Sequence, residues 1–87
     1  MNLKYQFALA IRERLMDFSE ERKCSLHKIA SLSDVPYSTI CSFLTGKSNT
    51  MTLSTLFNIC KGLDISLKDF FDDPMFEEIR MGSEDLD

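Results

Sequence analysis

Much of what a protein needs for catalysis or metal chemistry is missing from this chain. His27 is the only histidine, and no two of Cys24, Cys41 and Cys60 stand close enough to form half of a zinc site. No nucleophile with an adjacent base can be assembled from such a set, and most of the carboxylates gather in a C-terminal segment that reads as solvated. The chain is therefore expected not to be an enzyme and to carry no metal or cofactor. An odd number of cysteines at apolar or helical positions suits a reducing compartment better than a disulfide framework. No run is long and apolar enough to cross a membrane, and no basic start leads into an apolar signal-like stretch, so the expected location is cytoplasmic. Internal repeats and low-complexity segments are also absent.

What remains is a chain of 87 residues, 44% of them apolar. That is enough to bury one small core and too little for a second domain. The formal net charge of -4 argues at first sight against a nucleic-acid partner. Its distribution reverses the argument. From Arg22 to Lys61 the cations Arg22, Lys23, Lys28, Lys47 and Lys61 face one acid, Asp34. From Gly62 onward nine acids, Asp64, Asp69, Asp72, Asp73, Glu77, Glu78, Glu84, Asp85 and Asp87, face Lys68 and Arg80. A basic middle with an acidic end can present one positive face to phosphate while the molecule stays soluble.

Apolar periodicity divides the chain into helices. Phe7, Ile11, Leu15 and Phe18 recur at helical spacing and predict a long first helix from about Leu3 to Arg22, with Asn2 or a neighbour as its cap. Ser25 is an N-cap for the next helix, with Cys24 and Ile29 placed as a hydrophobic staple. Pro36 suits the start of a third helix, because its φ is preset and it lacks the amide that would go unpaired there. Gly46 supplies the left-handed residue that ends it. Thr52 caps a fourth helix whose Leu53, Leu56, Phe57, Ile59, Cys60 and Leu63 are expected to supply core. Ser66 with Asp69 opens a short fifth helix through Phe70 and Phe71, which Asp72, Asp73 and Pro74 break. The expected organisation is a domain over residues 1–74 and an acidic tail over 75–87.

Residues Ser25 to Leu44 thus read as two short helices joined by a tight turn. Ile29 and Ala30 stand on the inner face of the first, Asp34 and Val35 form the turn, and Ile40, Phe43 and Leu44 give the second its apolar side. Ala30 fits a steep crossing, which needs a small side chain where two axes come closest. The opposite face of the second helix carries Tyr37, Ser38, Cys41 and Ser42, which are short or flat and mostly hydrogen-bonding. Such a face suits base edges in a groove; the plainer reading is that Tyr37 covers the helix start and the hydroxyls are solvated. Cys41 is either an oxidant sensor or a small tolerated residue, and no cation or helix N-terminus beside it favours the sensor.

The run CSLHKIASLSDVPYSTICSFLTGKSNTMTLSTLFNICKGLDISLKDFFD resembles the lambda-repressor-like, or XRE-type, helix-turn-helix regulators, over roughly residues 7–72 of the chain. The Ile29-Ala30 pair, Val35, Ile40, the Gly46-Lys47 step and the Leu63-Asp64-Ile65-Ser66 turn agree at once. Asp34 departs from the family's turn glycine, and Leu26 replaces a glutamine that often reaches phosphate. The resemblance implies an all-α, compact five-helix domain with a long first helix and an acidic C-terminal tail. It also implies double-stranded DNA as partner, with Tyr37, Ser38, Cys41 and Ser42 facing bases and Thr39 nearer a phosphate. Lys47, Ser48, Asn49 and Thr50, just past the third helix, are placed to hold the sugar-phosphate backbone, with Lys28 and the capped helix start at Ser25 as further contacts. The third helix offers no Arg, Asn or Gln for bidentate reading of G or A, so single hydrogen bonds, methyl contacts, water and DNA shape must supply specificity.

The function expected is that of a sequence-specific regulator, a repressor, reading a palindromic operator as a homodimer. Phe71, Met75, Phe76 and Ile79 are the candidates for the dimer contact. Two alternatives stand beside it. One is a DNA-binding antitoxin whose C-terminal tail engages a toxin. The other is a protein-interaction module that kept the fold and lost DNA, an alternative that the net charge and Leu26 favour and the basic middle opposes.

Overall fold

The computed structural model describes residues 3–82. They form helices α1 (Leu3–Glu21), α2 (Leu26–Ser33), α3 (Tyr37–Leu44), α4 (Leu53–Gly62), α5 (Leu67–Phe71) and α6 (Pro74–Gly82), with no strand among the described residues. The architecture is all-α, with six helices where the sequence reading expects five. The addition is α6, which begins at the proline read above as a breaker. Pro74 stops α5 and, in the first turn of the next helix, costs no hydrogen bond. Asp73 steadies this start by accepting the Met75 N–H on its carboxylate at 3.0 Å. The acids from Glu84 onward lie outside the described residues.

Helix starts follow the sequence closely. Ser25, Thr52 and Ser66 each accept a backbone N–H three residues on, from Lys28, Thr55 and Asp69, at 3.1, 3.1 and 3.0 Å. The ends are made less conventionally. Lys23, Asp34 and Asp64 sit in the left-handed region, with φ of 51°, 56° and 60°. After each, the next N–H reaches back five residues, from Cys24 to Ser19 O at 2.9 Å, Val35 to Ala30 O at 3.2 Å and Ile65 to Cys60 O at 2.9 Å. These are the closures that glycine usually makes, built here by side chains that pay conformationally for φ above zero. After α3 the left-handed residue is a glycine, Gly46 with φ 86°, and there the Ser48 N–H reaches back to Ser42 O at 3.1 Å.

The core draws on every helix from α1 to α5. Leu15, Ile29, Ile40, Phe43, Ile59, Cys60 and Phe70 are its largest fully buried side chains. Ala30 is buried at the α2–α3 turn as its size suggests. A close helix approach is made between α2 and the end of α4. A Cβ on Gly62 would stand 2.6 Å from Ser33 Oγ and 3.0 Å from both Leu32 C and Ser33 N. Two apolar residues expected in the core lie outside it. Leu53 and Phe57, 73% and 52% exposed, lie one turn apart along the edge of the buried face formed by Leu56, Ile59, Cys60 and Leu63. Phe7 is 43% exposed, and Ala8 takes its place in the interior.

Phe7 instead stacks on Phe71 with centroids 6.2 Å apart and meets Phe76 of α6 edge-on at 6.3 Å. Phe76 in turn packs against Phe71 at 5.0 Å and Phe70 at 6.4 Å. Two of the proposed dimer candidates, Phe71 and Phe76, are therefore used first within the chain. Segment 74–82 is held on α1 by this cluster, so the acidic end begins as a packed helix before any tail.

Arginines explain how α1 organises the rest. Arg12 Nε donates to Phe43 O at the end of α3 at 2.5 Å. Arg14 donates from Nε to Phe70 O and from Nη2 to Asp69 O, both at 2.7 Å, at the end of α5, and pairs with Asp73 at 3.4 Å. Arg22 Nη1 donates to Leu63 O at the end of α4 at 2.5 Å. Each guanidinium donates to carbonyls at a helix C-terminus and places positive charge at the negative end of its dipole. Arg22, counted above with the basic middle, is thus committed to the fold.

Candidate nucleic-acid interface

The local chemistry of α3 follows from its eight residues, YSTICSFL, none of them charged. Ile40 and Phe43 are buried and fix which side faces the core. That leaves Tyr37, Ser38 and Thr39 exposed and Cys41 and Ser42 half-exposed on the outer side. The residues read from the sequence as base-facing thus share a face. Tyr37 is 37% exposed, and His27 of α2 lies flat against its ring with centroids 3.6 Å apart and planes 13° from parallel. The Tyr37 hydroxyl titrates above its ordinary value, chiefly through its hydrogen bond with the Cys41 thiol, then through the charge that thiol acquires on ionising, and least by burial. It therefore remains a protonated hydroxyl at neutral pH.

Beyond α3 the chain turns through a loop shaped from both sides. Arg12 of α1 donates from Nη2 to Ser48 O at 3.1 Å and to Asn49 Oδ1 at 2.7 Å. Its guanidinium also lies over the Phe43 ring at 5.0 Å. With the Asn49 carbonyl oxygen taken by Arg12, the amide's NH₂ is left to donate outward. Ser48 is spent internally: its N–H donates to Ser42 O at 3.1 Å and its Oγ to Thr50 O at 3.0 Å. Lys47, Asn49 and Thr50 are exposed. A groove of about 340 Å³ runs between α3 and the start of α4, edged by the hydroxyls of Ser38, Thr39, Ser42, Thr50, Thr52 and Thr55.

Lys28 is exposed on α2, and Ser25 caps that helix with its first-turn amides at the end nearest the Tyr37–His27 stack. Phe71, Met75, Phe76 and Ile79 belong to a different part of the molecule, along α1. Met75 and Ile79 line a depression there with Gln6, Leu9, Ala10, Glu13 and Glu78. Leu26, which replaces the family's glutamine, packs against the core.

α3 is thus a short uncharged helix set across a tight turn from α2, with Lys28 exposed on α2 and Lys47 exposed just past its own end. The model of the Cro/C1-type HTH DNA-binding domain matches residues 14–74. The chain belongs to this Cro/C1-type family. It is accordingly a DNA-binding regulator, and its partner is double-stranded DNA. Neither a curated protein nor a solved structure matches the chain. In this Cro/C1-type domain no described helix is long and apolar enough to cross a membrane. Among the described residues no group of His, Cys, Asp and Glu is arranged to hold a metal ion.

Sequence reasoning missed three contributors to this face. Arg12 stands more than thirty residues from the loop it clamps, and a buried arginine leaves no periodic trace. His27 offers itself in the sequence only as a metal ligand, because nothing in spacing links it to Tyr37. Thr55 reads as an ordinary helix residue, although the run Thr50-Met51-Thr52 just before α4 signals a hydroxyl-rich approach to it.

Proposed function

We propose that this protein is a transcriptional repressor that lays α3 in the major groove of a palindromic operator and binds as a homodimer. The observation carrying the reading is the uncharged outer face of α3, with Lys28 exposed on α2, Lys47 exposed past the end of α3 and the following loop held by Arg12. Tyr37, Ser38, Cys41 and Ser42 meet base edges. Ser25, Lys28, Thr39, Lys47, Asn49 and Thr50 hold the sugar-phosphate backbone, while Ser48 acts through the loop shape it maintains. Repression follows from occupation of the operator. A single motif reads only a few base pairs, so two copies related by a two-fold axis provide the specificity, with half-sites about 34–36 Å apart. Met75 and Ile79 are the remaining candidates for the contact between copies, since the Phe71 and Phe76 rings are engaged within the chain.

Selection of bound fragments from random DNA tests the reading. A two-fold symmetric motif should emerge. Tyr37→Ala should relax preference at particular base pairs by about 1–3 kcal/mol. Lys47→Ala should weaken all sequences alike and reduce the log–log salt slope by about 0.9. Enrichment of no sequence refutes operator reading; a motif without symmetry refutes the dimer.

A further inference from the structure

The Tyr37 ring is held before any DNA arrives. His27 projects from the first turn of α2 and covers one face of the ring, at 3.6 Å between centroids and 13° between planes. The depression beside the pair is lined by Ala30, Ser31, Asp34, Val35 and Pro36, none of which offers a second aromatic ring. A side chain that must be immobilised when it binds loses affinity to the ordering, and a side chain already immobilised does not. Both residues are exposed, so the stack adds nothing to the interior. It joins the first turns of the two helices whose mutual setting defines the motif.

We propose that His27 is a positioning residue for base recognition, stacking on Tyr37 to fix the ring in the orientation it uses in the groove. The proposal rests on the reading of α3 given above. His27 sets how sharply Tyr37 discriminates among base pairs; Lys28 and Lys47 set how tightly the domain holds any DNA. The imidazole does this by ring contact, so a flat apolar ring at position 27 should substitute for it.

The test compares His27→Ala, His27→Phe, Tyr37→Ala and the double variant His27→Ala/Tyr37→Ala. The base pairs at which Tyr37→Ala relaxes preference are identified first by selection from random DNA. His27→Ala should lose about two- to tenfold discrimination at those same pairs, the range that an aromatic stack contributes. His27→Phe should restore it, and in the Tyr37→Ala background His27→Ala should change nothing further. In the free protein, the ring-proton resonances of Tyr37 should move toward those of a solvated tyrosine in His27→Ala and stay displaced in His27→Phe. Unchanged Tyr37 resonances, discrimination as sharp in His27→Ala as in the parent, or a loss that persists without Tyr37 would each overturn the proposal alone. A parent chain that selects no sequence would overturn the reading of α3 and the proposal with it.

Discussion

Replacing Gly62 by alanine sets two physical effects against each other, and the structure decides between them. Gly62 closes α4, and by intrinsic propensity alone alanine in a helix is favoured over glycine by about 1 kcal/mol. The added Cβ, however, would stand 2.6 Å from Ser33 Oγ and 3.0 Å from Leu32 C and Ser33 N. The hydroxyl is not free to swing aside, because Ser33 is buried and donates to Ile29 O at 2.6 Å. The two main-chain atoms can yield only if α2 moves as a body. Overpacking of this kind costs about 1–3 kcal/mol, so we expect Gly62→Ala to be destabilising by about 1 kcal/mol net. In a domain of this size that lowers the melting temperature by about 4–8 °C. Thermal unfolding followed by circular dichroism reads this directly. The double variant Ser33→Ala/Gly62→Ala removes the shortest contact and leaves the two to main-chain atoms, so it should relieve part of the clash cost. A Gly62→Ala protein that melts higher than the parent would refute the close approach. Since α2 carries His27 and leads through Asp34 into α3, DNA affinity should fall even where the variant is fully folded.

Arg12→Met should cost about 1.5–3 kcal/mol per charged hydrogen bond left unmade and speed amide exchange at Ser48, and Arg12→Lys should not rescue it because one ammonium cannot span Phe43 O, Ser48 O and Asn49; unchanged exchange would refute the clamp. Asp34→Gly should raise stability by up to about 1 kcal/mol by relieving a left-handed aspartate, measured in urea titration, and a loss would show that the carboxylate makes a compensating contact. Phe76→Ala should lower the melting temperature, at a cost of about 1–2 kcal/mol for a half-buried ring, whereas an unchanged midpoint would mean that α6 is not part of the folded unit. Burial pushes the Cys60 thiol from its ordinary 9.0 up to about 11. The native state therefore holds this proton more tightly than the unfolded chain, and the corresponding stability, full below pH 9.0, is lost as pH rises toward about 11. At pH 8, alkylation of Cys60 should track global unfolding, and fast modification of the native protein would contradict its burial.

Local chemistry was enough to mark where α2, α4 and α5 begin. Ser25, Thr52 and Ser66 cap through their own hydroxyls, and the bond each makes reaches only three residues, so a sequence window contains the whole interaction. The outer face of α3 was legible for the same reason: once Ile40 and Phe43 are buried, helical geometry alone turns Tyr37, Ser38, Cys41 and Ser42 outward. What the sequence could not disclose was which apolar stripe finds a partner. Leu53 and Phe57 look no different in sequence from Leu56 and Ile59, but only one side of α4 meets α2. Phe71, Met75, Phe76 and Ile79 read equally well as a surface for a second copy until α6 is seen folded against α1. Tertiary structure alone likewise made Arg12, Arg14 and Arg22 clamps on the ends of α3, α5 and α4, and set His27 over Tyr37. Those contacts join residues far apart in the chain or on different helices, and their partners are backbone carbonyls or ring faces. Every sequence supplies such groups, and only the packing of the helices decides which ones a given side chain can reach.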